Sequence, residues 1–371
     1  MDMSGAKMAE IHNFDPIGRF LRDQLGFTPF RFGLVIFLLD LLVDGILCWY
    51  WGLFFSKSKI PGLLQDYMAL TVDFVFNPVI CGLYLWLPGG ARRMFEGLRD
   101  AEIFPSGVVT HVVDGKRGLY RNKAAFCLAL CIAILYGTSQ ILEAFGLVPW
   151  KTVGGYIDLH PQMVFFRAPF WYLTIYATVF IIFNIYVTIV TLRGLFRKED
   201  AKIEPLHLDR CGGLSCISQF TLTVAYAIAA VGLLLSAATL YDLQHSILAG
   251  AYPLFLGIVV YLFLAPCFFF LPLAAAHSVM RDSKEKELHR VAKLFRAVYS
   301  RLQTKAVSAT PDCDTELKRL EEMKRLYTLV SNFSVWPFDL RSLREFAVRI
   351  TTPIVPAIVG IIVSIVKAKL I

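Results

Sequence analysis

The stretch APFWYLTIYATVFIIFNIYVTIVTL, from Ala168 to Leu192, runs for 25 residues without one charged side chain. At about 1.5 Å of rise per residue, a helix of this length exceeds the roughly 30 Å of hydrocarbon in a bilayer. A soluble amphipathic helix would interrupt such a run with polar residues on its wet face. In lipid, a helix satisfies every backbone amide within its own segment, so the run predicts a transmembrane helix.

Six further runs have the same character: Gly33–Phe55, Met68–Leu87, Ala124–Leu147, Thr221–Leu240, Pro253–Ala276 and Ile350–Val366. Over all 371 residues the chain is 56% hydrophobic and only 18% charged, whereas soluble domains carry roughly 25% charged residues. The expected fold class is all-α: a polytopic helical membrane protein with about seven transmembrane helices. The last run stands apart because Pro353 and Pro356 lie in its first turns, where a missing N–H is tolerated best. The first thirty residues hold Asp2, Glu10, Asp15, Arg19, Arg22 and Asp23, with no apolar core and cleavage site. The first run is therefore expected to be a retained anchor rather than a signal peptide.

Basic residues orient this map. Of 37 Lys and Arg, 31 fall in alternate segments that share one side, and no predicted span contains any. By the positive-inside rule that side is cytoplasmic, so the N-terminus is expected inside the cell's inner (plasma) membrane. Trp49, Tyr50, Trp51, Trp150, Trp171 and Tyr172 cluster at the opposite ends of the spans, where amphipathic rings favour the headgroup level. The net charge of +8 is absorbed by this asymmetry, and no nucleic-acid motif accompanies it. No cysteine falls in a predicted outer loop, so no disulfide framework is implied.

Four segments follow: a cytoplasmic N-terminal segment (1–32), a six-helix transmembrane domain (33–276), a cytoplasmic hairpin with an interfacial helix (277–346), and a closing transmembrane helix (347–371). In the hairpin, Leu288, Val291, Phe295, Val298 and Leu302 repeat at alternating spacings of three and four, the spacing of a coiled-coil seam. Leu317, Leu320, Met323, Tyr327 and Val330 form a matching seam after a turn at Pro311. The two helices either pair only with each other or also pack against copies in a homo-oligomer. Ala225, Ala229, Gly232 and Ser236 make a small-residue packing stripe on the fifth span.

The spans also contain Asp40, Asp44, Asp73, Asn77, Glu143 and Asn184. Ionisable groups inside a bilayer cost a few kcal/mol each and usually face protein or water. Asp40 and Asp44 share a helix face, as do Asp73 and Asn77. Counted from the outer ends, Asp44 and Asn77 lie about 16 and about 15 Å deep, which places them level. With no basic residue in any span, these four groups are expected to form a wet or proton-binding ion path. The alternative is that they are protonated or paired with side chains reaching in from loops. Glu143, near an interface, is expected to be solvated.

The most unusual polar segment is Glu204-Pro-Leu-His-Leu-Asp-Arg-Cys-Gly-Gly-Leu-Ser-Cys216. His207, Asp209, Arg210, Gly212 and Gly213 are a candidate ligand or gating loop. Paired glycines can present amides to an anion, and Arg210 suits a phosphate or carboxylate. The alternative is a tight turn into the fifth span. A metal site from His207, Asp209, Cys211 and Cys216 fits no zinc spacing, and no cofactor motif is present. The segment resembles the His-Pro-Asp-x-x-Gly-Gly-Leu signature of functionally uncharacterised bacterial polytopic membrane proteins. The matching positions are His207, Asp209, Gly212, Gly213 and Leu214, with Leu208 where the pattern has proline. Trp336-Pro337-Phe338-Asp339 before a closing apolar run is similar to the same group. The resemblance implies a multi-pass membrane protein and no particular activity.

Three functions compete on this reading. The first is an oligomeric, gated ion-conducting protein regulated from the cytoplasm by a partner or ligand at the hairpin. The second is a membrane-embedded enzyme with His207 and Asp209 as acid–base groups. The third is a stress or antiviral defence effector that depolarises the membrane.

Overall fold

The computed structural model describes residues 15–55, 62–105, 107–120, 123–148, 157, 160–198, 203, 211–244, 251–307, 313–333, 335–337 and 340–360. Among these residues the secondary structure is helical, with no strand. Six helices are long and apolar enough to cross a membrane. Of the seventh apolar run, residues 350–360 are described and continue helically around a tighter turn at Thr352–Ile354.

A short N-terminal helix, α1 (Pro16–Arg19), precedes α2 (Pro29–Trp51). Thr28 caps α2, its hydroxyl accepting from the Arg31 amide at 3.3 Å, and Pro29 occupies the first turn. Gly52 ends the helix in the left-handed conformation (φ 65°) while the Leu53 amide donates back to Cys48 O at 2.8 Å. Helix α3 spans Tyr67–Asp100 and contains one π-helical segment, Val72–Phe76, immediately before Asn77-Pro78. Pro78 has no N–H to donate and crowds the carbonyl four residues earlier, and widening that turn relieves both problems.

The Leu87-Pro88-Gly89-Gly90 sequence marked the expected end of this span, yet α3 continues through it. Leu87, Pro88, Gly90, Ala91, Met94, Phe95 and Leu98 are all buried, so tertiary packing overrides weak local helix propensity.

Helices α4 (Lys123–Ala144) and α5 (Val164–Lys198) pack as neighbours, with the Tyr172 ring lying on Gly137. Helix α6 (Ser215–Gln244) packs on α7 (Ala251–Val307), where Gly232 makes room for the Tyr261 hydroxyl. Helix α7 runs unbroken for 57 residues through Pro266 and Pro272. At about 1.5 Å per residue that is about 85 Å, far more than a bilayer needs. Its second half pairs with α8 (Cys313–Ser331) as the expected hairpin. Val291, Val298 and Val330 are buried in it, whereas Phe295 and Tyr327 are exposed. The side chains of Leu302 and Leu317 lie outside the described residues.

The hairpin is tied at its base. Lys284 Nζ donates to the carbonyls of Ser331 (2.6 Å) and Phe333 (2.9 Å), which satisfies the open end of α8. His277 stacks on Trp336 at 4.0 Å and bonds to Val335 O. Helix α9 (Leu340–Thr351) packs against α6 and α7. Phe346 stacks on Phe269 at 3.7 Å, and Arg349 donates to Leu222 O at 2.9 Å. Asp339, expected to cap this helix, lies outside the described residues.

Lys284→Met should release the end of α8 at a cost of about 1–2 kcal/mol. Hydrogen exchange should then accelerate in residues 327–333 and stay unchanged in α2. Uniform exchange in the two proteins would show that Lys284 does not hold the hairpin.

Candidate functional site

The buried stripe of α2 carries Ile36, Asp40, Asp44 and Leu47. The facing stripe of α3 carries Asp73, Asn77, Cys81 and Tyr84, all buried and spaced three or four apart. Both stripes meet α5, and the polar side chains on the three helices form one continuous seam.

The two helices come together because glycine lies at their crossing. A Cβ on Gly33 would stand 2.8 Å from Pro78 O, and one on Gly82 would stand 3.2 Å from Pro29 O. This close approach lets Asn77 Nδ2 donate to Asp40 Oδ2 at 3.3 Å, while Asn77 Oδ1 accepts from Thr174 Oγ1 at 3.0 Å. Asp40 and Asn77 are therefore level, and Asp44 lies with Asp73. The register differs by one turn from that expected by counting inward from the helix ends. Its physical cause is that α2 is displaced along its axis relative to α3, as the Gly33–Pro78 contact fixes.

Arg167 corrects the expectation that no basic residue enters a span. It belongs to α5 rather than to the preceding loop, and it is 5% exposed. Its Nη2 pairs with Asp73 Oδ2, and its Nε lies 3.3 Å from Asp44 Oδ1. Trp171, one turn later, places its ring 5.9 Å from the same guanidinium. The Asp44 oxygen has no hydrogen bond, so that contact is an ion pair by proximity. A planar guanidinium with several donors suits a site between two carboxylates. The alternative reading, a basic side chain pairing with the acids, is thus realised for Asp44 and Asp73.

An imbalance remains. Among the described residues, Arg167 is the only buried basic side chain, and it faces a seam with three buried carboxylates. Asp40 is answered by the amide of Asn77 rather than by a cation. Beyond Asp44 the seam is covered by an apolar cluster that includes Leu47, Cys48, Leu53, Leu63, Met163 and Val164. At the other end, one turn past Cys81, Tyr84 donates to Asp15, whose second oxygen accepts from Tyr176 at 2.7 Å. Residue Asp15 is 1% exposed. The N-terminal segment, expected on the cytoplasmic side, contributes a buried carboxylate that sequence reasoning missed.

Other polar residues are accounted for separately. Asn184 donates to Phe180 O, and Thr188 and Thr191 bond back to carbonyls of the same helix. Glu143 is buried at 7% exposure rather than solvated, because α4 packs that face against its neighbours.

In the candidate loop, Gly212 and Gly213 take φ values of 64° and 86° and turn the chain into α6. Only glycine fits both conformation and space: a Cβ on Gly213 would stand 2.8 Å from Ile103, and one on Gly212 would stand 3.1 Å from Phe333. The pair therefore packs the end of α3 against the hairpin base. His207, Asp209 and Arg210 lie outside the described residues, as does Trp150. Among the described residues no His, Cys, Asp and Glu group is placed to hold a metal.

No family model matches this chain, and no curated protein or solved structure matches it either.

Proposed function

We propose that this protein moves protons, or small cations in their place, across the membrane along the acidic seam between α2, α3 and α5. The observation that carries the proposal is the imbalance of three buried carboxylates against one buried guanidinium. Fully ionised, the group would hold two uncompensated negative charges away from water, which costs several kcal/mol per ion. Each proton or monovalent cation taken up removes one of those charges, and Asp40 is the member without a basic partner. The seam is closed in this conformation, with Asp40, Asp44, Asp73 and Asn77 each at most 3% exposed. Site-to-site proton exchange needs less space than a hydrated ion, so protons are the favoured cargo.

The arginine-rich end of the bundle, with the hairpin, faces the cytoplasm under the positive-inside rule. A cell inner membrane location with the N-terminus inside follows from the same asymmetry. Exposed Leu294, Phe295, Tyr299, Leu326 and Tyr327 on the hairpin favour a homo-oligomer.

Purified protein in liposomes should pass protons under an imposed membrane potential, read by a trapped pH dye. Asp40→Asn, nearly isosteric and unable to ionise, should slow that flux on the order of tenfold or more. Flux no greater than in protein-free liposomes at every pH, or an unaltered rate in Asp40→Asn, would remove the proposal.

A further inference from the structure

Asp15 has no part in the ion pairs of the seam, yet it is as deeply buried as they are. Its two oxygens accept from Tyr84 and Tyr176, on two different transmembrane helices. Tyr84 continues the α3 stripe one turn past Cys81, and its ring meets that of Tyr176 edge-on at 5.8 Å. The carboxylate therefore sits where the polar stripe of α3 would otherwise continue towards the end of the bundle. Gly18 follows on the same face, and a Cβ there would collide with the Asp15 carboxylate and approach the Tyr84 hydroxyl to 2.9 Å.

Apart from Ile17 and Leu21, half-buried against the core, the segment is loosely held: Phe20, Asp23, Gln24 and Leu25 are exposed, and the Arg22 side chain bonds within the segment, to Gly18 O at 3.2 Å. One turn of α-helix passes directly into a π-helical turn, Phe20–Gln24, a rare geometry found mostly as single turns. Gly26 then turns the chain at φ 63°, with no atom within 4 Å of where a Cβ would be, before Phe27 rejoins the core against Phe32. Segments with few buried contacts open at low free energy. The opposite end of the seam is different, sealed by the apolar cluster around Leu47 and Met163.

We propose that the segment from Asp15 to Leu25 is a detachable gate over one end of the acidic seam, latched by Asp15 between the hydroxyls of Tyr84 and Tyr176. The role of the gate in transport rests on the function proposed above, but its opening does not. Water and protons reach the Cys81–Thr174 level when the latch releases, and are excluded when it holds.

Cys81 reports on the gate because it is fully buried just inside the latch. In full-length protein with Cys81 as the sole cysteine, reconstituted in lipid, a membrane-impermeant methanethiosulfonate reagent should label it slowly. Asp15→Ala, and separately the Tyr84→Phe/Tyr176→Phe pair, should each raise the labelling rate by roughly tenfold or more. A sole cysteine at Cys48, within the apolar cluster, should stay protected in the same variants. Unchanged labelling of Cys81 in both variants overturns the gate. Equal acceleration at Cys48 also overturns it, since the whole bundle would then have loosened. Accelerated Cys81 labelling in a protein that passes no protons would refute the transport proposal and leave the gate standing.

Discussion

Arg167→Met should lower the stability of the bundle by about 3–5 kcal/mol, the usual cost of removing one member of a buried ion pair. The loss has two sources. Asp44 and Asp73 would face each other without the guanidinium that now touches both, and neither is exposed to water that could compensate. Arg167→Lys should recover only part of the loss, because an ammonium is a point charge without the planar fork that reaches two carboxylates. The decisive variant combines Arg167→Met with Asp44→Asn and Asp73→Asn. It removes all three charges, and replacing a whole buried charged cluster is often neutral in stability. Thermal unfolding in detergent should therefore rank the triple variant well above Arg167→Met alone. If the triple variant is the less stable of the two, charge balance is not what Arg167 supplies.

Arg167 also shows where sequence reading reached its limit. The charge-free run starts at Ala168, although Val164, Phe165 and Phe166 before the arginine are themselves apolar. A single arginine one residue from a span is conventionally assigned to the interface, where it can snorkel. The usable signal was the set of acids in other spans, which demanded a buried counter-charge. The six long helices were legible because length and the absence of charge are properties of each segment alone. Register was not, since it depends on where two helices touch. Gly33 and Gly82 are visible as glycines, but nothing in the sequence says that they face each other. Asp15 was less legible still, because a carboxylate in a polar segment looks solvated until Tyr84 and Tyr176 are brought beside it.

Asp40, Asp44, Asp73 and Asn77 do converge, but as two tiers rather than an open acidic path. One tier, Asp44 with Asp73, is paired with Arg167, and the other, at Asp40, is linked to the protein through Asn77 and Thr174. Asp44 and Asp73, paired with Arg167, tie α2, α3 and α5 together, and Asp40 is the group on which the proposed proton transfer rests.

Gly33→Ala and Gly45→Ala, two substitutions on the same helix, should move stability in opposite directions. At Gly33 a new methyl would stand 2.8 Å from the Pro78 carbonyl oxygen. That oxygen is backbone and cannot turn aside, so α2 and α3 must separate. Overpacking of this kind costs about 1–3 kcal/mol, and separation also lengthens the Asp40–Asn77 hydrogen bond. At Gly45 no atom lies within 4 Å of the added methyl, and alanine is favoured over glycine in a helix by up to about 1 kcal/mol. Thermal unfolding of the two variants side by side cancels errors common to the detergent and the helix. A lower midpoint for Gly33→Ala with reduced proton flux would tie the seam to the close approach of the helices. A midpoint equal to or above that of Gly45→Ala would mean that the Gly33–Pro78 contact does not set the spacing, and that Asp40 and Asn77 are brought together by some other part of the bundle.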